Sequence, residues 1–66
     1  MEFLYVKVYD GAIWEDITIL VNKENAIIES LKHPTCRIEI FVKKTEQDNY
    51  IPTYNYYKNG ELFISQ

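Results

Sequence analysis

The chain is poor in the residues from which cross-links and active sites are usually built. A single cysteine, Cys36, excludes an intrachain disulfide, and with it the stapled scaffold of small secreted domains, so a reducing, intracellular setting is expected. One histidine, His33, and two serines, Ser30 and Ser65, leave little from which to assemble a nucleophile and its base. Gly11 and Gly60 are the two glycines, too few for a phosphate-cradling loop or a flexible linker. No apolar run approaches the roughly 20 residues of a membrane-spanning helix. The residues after Met1 alternate like a strand and lack the basic start and apolar core of a signal peptide, so none is expected and the protein is placed in the cytoplasm. There are no repeats, linkers or low-complexity segments.

Positive charge is also scarce. Seven basic against ten acidic residues leave a net charge of −3, the wrong sign for a protein that neutralises phosphates. The charges are interspersed, as in Lys43-Lys44-Thr45-Glu46, so there is no acidic tail. Sixty-six residues make one domain, 1–66, and a fold of that size buries about 60% of the surface of its unfolded chain. Its stability is expected at roughly 3–10 kcal/mol, marginal unless the chain oligomerises.

What the chain does contain is alternation. Residues 2–9 alternate with period two up to Asp10-Gly11, a dipeptide suited to a two-residue hairpin turn. With that turn, Lys7 faces Trp14, Tyr5 faces Asp16 and Leu4 faces Ile17. Leu4, Val6, Val8, Ile13, Ile17 and Ile19 then form an aliphatic side, interrupted by Glu15. Phe3, Tyr5, Lys7, Tyr9, Trp14, Asp16 and Thr18 form the other.

Asn22 is a plausible N-cap, Glu24 suits the positive end of a helix, and His33-Pro34 supplies a basic last turn and a stop. These signals predict a helix from about Lys23 to Lys32, docking Ala26, Ile27, Ile28 and Leu31 on the aliphatic side. A third strand follows over Cys36 to Lys43, with Ile38, Ile40 and Val42 opposed to Arg37, Glu39, Phe41 and Lys43. Residues 45–49 read as an exposed, mobile loop. The aromatic run Tyr50 to Tyr57 and the Asn59-Gly60 turn predict a second hairpin ending in Leu62-Phe63-Ile64, with Pro52 at a strand start, bulge or free edge. The expected fold is α+β: an antiparallel sheet of four to five strands with one helix packed on one face, in the order β-β-α-β-β-β. Strand order within the sheet is not readable.

Catalytic readings are thin. His33 and Cys36 lie three apart, but zinc would need two further ligands, and a helix-end histidine beside a strand cysteine is the simpler account. Glu15 and Asp16 would point to opposite faces of a strand. No catalytic residue, metal or cofactor is expected, and the protein is read as a non-enzyme.

The constellation that stands out is aromatic. Phe3, Tyr5, Tyr9, Trp14 and Phe41 fall on the side assigned away from the helix, with Tyr50, Tyr54, Tyr56 and Tyr57 nearby, and one helix covers one face only. That second face needs a cover: the C-terminal hairpin, another subunit or partner protein, or a ligand. Tyrosine and tryptophan suit an interface, which makes a homo-oligomer or a protein-interaction module the leading expectation. The alternative is single-stranded nucleic-acid binding, with bases stacked on these rings beside Lys7, Arg37 and Lys43. The net charge weighs against it, and Lys7 opposite Trp14 is more simply a cation-π pair.

Trp14-Glu15-Asp16, Asn22-Lys23-Glu24-Asn25-Ala26, Arg37-Ile38-Glu39-Ile40-Phe41 and the run from Pro52 to Gly60 together resemble short uncharacterised proteins of large DNA viruses. Nine Ile, six Lys, six Tyr and five Asn agree with an AT-rich source of that kind. The resemblance implies a viral or phage accessory protein acting in the host cytoplasm, and it carries over no catalytic or binding residue.

Overall fold

The computed structural model describes residues 1–9, 18–20 and 22–65. They form strands β1 (Glu2–Tyr9) and β2 (Thr18–Leu20), helix α1 (Lys23–Lys32), and strands β3 (Cys36–Lys43), β4 (Ile51–Lys58) and β5 (Glu61–Phe63). All five strands join one sheet in the order β2-β1-β3-β4-β5, and every neighbouring pair is antiparallel. The expected α+β architecture and element order are therefore those observed. Because β2 and β3 flank β1, the helix carries the chain across β1 on one side of the sheet.

Local chemistry explains the helix ends. The Asn22 side chain accepts a hydrogen bond from the Asn25 backbone N–H at 3.1 Å, satisfying a donor the first turn cannot. At the other end the His33 N–H donates to Glu29 O, and Pro34 prevents continuation. Asn59 (φ 52) and Gly60 (φ 80) both take left-handed backbone, as a type I′ turn requires. The Gly60 N–H donates to Ser30 Oγ at 2.9 Å, and that hydroxyl donates to Ile27 O at 2.7 Å, so the turn is tied to the helix. A side chain at position 60 would meet Leu31 Cδ2 at 2.7 Å.

The register corrects the first hairpin. Tyr5 pairs with Leu20, Val6 with Ile19 and Lys7 with Thr18, rather than Tyr5 with Asp16 and Lys7 with Trp14. The shift is by an even number of residues, so Ile19 keeps the face it was assigned, alongside Val6. Asp10, Gly11, Ile13, Trp14, Glu15, Asp16 and Ile17 lie outside the described residues, as do the expectations that rest on them.

The larger correction is which face the helix covers. Tyr5, Ala26, Cys36, Ile38, Ile40 and Tyr57 form the buried core, so the Tyr5–Lys7–Tyr9 side of β1 lies under the helix and the Leu4–Val6–Val8 side does not. The reason is volume. The helix buries Ala26 and Ser30, one turn apart, with Ile27 partly buried, whereas Ile28 and Leu31 remain about half exposed. Small side chains on the helix leave a gap that large rings on the sheet fill: Tyr5 and Tyr57 meet with centroids 6.4 Å apart. Lys7 lays its stem in the same layer and reaches out to Glu29, Nζ to Oε2 3.2 Å.

The segment after β3 is exposed, as expected, and is closed by two bonds between Thr45 and Asp48. No helix among the described residues is long and apolar enough to cross a membrane.

Candidate interaction surface

The face of the sheet away from α1 is set by alternation. Ile19 of β2, Val6 of β1, Glu39 of β3, Tyr56 of β4 and Phe63 of β5 stand in one row across all five strands. Leu4, Phe41 and Pro52 form a second row beside it. None of these side chains is buried: Leu4, Val6, Phe41 and Tyr56 are half-buried, while Ile19 is 59% and Phe63 40% exposed. Tyr56 and Phe63 stack nearly parallel with centroids 5.1 Å apart.

Between the two rows β4 is irregular. Glu39 pairs with Tyr56 and Phe41 with Pro52, so Thr53, Tyr54 and Asn55 stand opposite Ile40 alone. Thr53 Oγ1 donates to Ile40 O at 2.8 Å and accepts from the Asn55 N–H at 3.1 Å, replacing the lost ladder bonds. Tyr54, at the apex, has φ 65, a conformation costly for a bulky residue, and is 71% exposed. The bulge opens a hollow of about 150 Å³ between Glu39, Phe41, Pro52, Tyr54 and Tyr56. Pro52 sits where expected, near the strand start, beside the bulge, on the stretch of β4 that β5 does not pair with.

Charges are paired along this face. Arg37 Nε lies 3.2 Å from Glu39 Oε2 on the central strand. At one end Lys43 Nζ approaches Glu2 at 3.6 Å and caps the Tyr50 ring at 4.9 Å, and the Tyr50 hydroxyl donates to Glu2. Hydrogen bonding with Glu46, then with Tyr50, and the charge of Lys43 hold the Glu2 carboxyl below the usual range. Burial, then hydrogen bonding to Glu2, raises the Tyr50 hydroxyl.

Of the residues singled out from sequence, Phe41, Tyr54 and Tyr56 are gathered here. Tyr5 and Tyr57 are instead each 7% exposed within the core, with the Tyr5 hydroxyl pKa raised by burial. Tyr9 packs on the helix side, edge-on to His33 at 6.4 Å. Phe3 shares that side by register with Val42 and is 46% exposed. Trp14 lies outside the described residues. Sequence reading missed Leu4, Val6, Ile19 and Phe63 as surface-lining residues. For Leu4, Val6 and Ile19 the signal was the aliphatic alternation itself, credited to the wrong face; for Phe63 it was the second hairpin, read without a face.

Among the described residues the helix side gathers no reactive centre. Cys36 is fully buried, its Sγ–H donates to His33 O at 2.8 Å, and burial raises the thiol pKa, which keeps it protonated and inert. Glu29 accepts from Lys7 and lies 3.6 Å from His33 Nε2. The Lys7 hydrogen bond is the main cause holding that carboxyl down. Burial pulls the Lys7 ammonium down in turn, but Glu29 outweighs it and the net shift is upward, away from a nucleophilic amine. Among the described residues no three of His, Cys, Asp and Glu gather as a metal site.

The molecule is thus a small α+β protein with a five-stranded antiparallel sheet, covered by a helix on one side and carrying an apolar, charge-paired surface on the other. The chain matches no protein-family model, no curated protein and no solved structure.

Proposed function

We propose that the protein is a non-enzymatic self-association module that works through the helix-free face of its sheet. The observation that carries this reading is a row of side chains crossing every strand, from Ile19 through Val6 and Tyr56 to Phe63, left accessible on a chain too small to spare apolar surface. Covering it would remove Phe41, Tyr56 and Phe63 from water, and aromatic side chains contribute most where they are buried between partners. The resemblance to short viral proteins extends the proposal to an accessory factor in an infected cell.

The nucleic-acid alternative has less support than the sequence alone lent it. Lys7, one of its three cations, is turned under the helix and bound to Glu29, and Lys43 is engaged by Glu2 and Glu46. Light scattering over a concentration series, at low and high salt, tests the proposal. The expected result is a dimer that persists in salt and is dissociated by Ile19→Lys and by Phe63→Lys, two exposed edge positions. A monomer at every concentration overturns it.

A further inference from the structure

Among the described residues the helix-free face carries no net charge, although the chain is acidic. By alternation Arg37, Lys43 and Lys58 share it with Glu2, Glu39 and Glu61, three of each sign among the described residues, against −3 for the whole chain. Such a face has no sign with which to select an acidic or a basic partner. It can lie against a copy of itself. Its centre is Arg37 and Glu39, two residues apart on the middle strand, with side chains 38% and 34% exposed.

Building on the self-association reading, we propose that the face is covered by a second copy of the chain through a two-fold axis that sets β3 antiparallel to the partner's β3, so that Arg37 of each protomer meets Glu39 of the other. An isologous interface must be complementary to itself. An axis perpendicular to the strands, passing between positions 37 and 39, brings opposite charges together twice. An axis parallel to β3 would set Arg37 on Arg37 and Glu39 on Glu39. Stacked sheets lie about 10 Å apart, a gap that an arginine and a glutamate span together. The Arg37–Glu39 pair of each protomer then joins the other in one ring of alternating charge. Val6 on one side and Tyr56 on the other flank the ring with apolar contact. The charges fix the alignment, and the surrounding apolar rows supply the adhesion.

Charge reversal tests this. Arg37→Glu gives a face with two central acids, and Glu39→Arg one with two central bases. Each is expected to be monomeric at concentrations where the parent protein is a dimer. An equimolar mixture of the two should form a heterodimer, and the double variant R37E/E39R should return to a homodimer, all read by light scattering with circular dichroism as a check of fold. If a reversal variant loses its fold, Arg37→Gln and Glu39→Gln pose the same question, each expected to weaken dimerisation about tenfold or more. A parent dimer that Ile19→Lys dissociates but the charge variants leave intact overturns the alignment and spares the self-association reading. So does a double variant that stays monomeric. A parent protein that is monomeric throughout overturns both.

Discussion

The two faces of this sheet solve opposite problems with similar residues. Under the helix, Tyr5, Ile38, Ile40 and Tyr57 are sealed, and Lys7, Ser30 and Cys36 among them are bonded: Lys7 to Glu29, Ser30 to Ile27 and Gly60, Cys36 to His33. On the other side Val6, Phe41, Tyr56 and Phe63 are as apolar, yet half-buried or exposed, and Arg37 pairs with Glu39 and Lys43 with Glu2 in the plane of the surface. Apolar composition therefore does not decide what is core. Coverage by α1 does, and α1 at about 15 Å is shorter than the eight-residue strands, which extend about 26 Å.

Truncation should break the comparison most sharply. Ile38→Ala, at a fully buried position of the central strand, is expected to cost about 3 kcal/mol or more, enough to unfold much of the population of so small a protein. Val8→Ala, half-buried on the open face, should cost the monomer under about 1 kcal/mol; urea unfolding of both variants makes the comparison. Equal losses would mean that the open face is as well packed as the core.

The tie between helix and hairpin comes next. Ser30→Ala leaves the half-buried Gly60 N–H without its acceptor at a buried position of the helix, with an expected loss of about 1–2 kcal/mol. Hydrogen exchange at the Gly60 amide should rise in parallel. At the bulge the sign reverses. Tyr54→Gly relieves a left-handed backbone at an exposed position and should stabilise by up to about 1 kcal/mol, seen as a higher denaturant midpoint. A loss there would show that the Tyr54 ring, not its backbone, carries the local energy.

The smallest effect expected is on pH. The Glu29 carboxyl is held low by Lys7, so its contribution is complete above the ordinary carboxylate pKa and is lost as pH falls through its lower folded value. Lys7, shifted upward, contributes below the ordinary lysine pKa and loses that contribution as pH rises through its higher folded value. Thermal melts from neutral to acid pH should show stability falling below about pH 4, and Glu29→Gln should flatten that limb.

How much of this was legible follows from the range of each interaction. The helix from Lys23 to Lys32, its Asn22 cap, the strand Cys36–Lys43 and the Asn59-Gly60 turn were readable because each depends on residues within a few positions of one another: a cap three residues from its donor, a period-two pattern, two adjacent residues that tolerate positive φ. The bulge at Tyr54 was not readable, since it depends on the pairing of β4 with β3, although Pro52 marked its vicinity. Nor was the covered face of β1. Phe3, Tyr5 and Tyr9 on one side and Leu4, Val6 and Val8 on the other are both apolar, and alternation separates two faces without ranking them. Small Ala26 and Ser30 opposite the tyrosine rings, and Glu29 within reach of Lys7, make the choice, and these contacts exist only once the helix has crossed β1. Local chemistry specifies elements, whereas the partner that buries each face is a matter of volume and charge across distant segments.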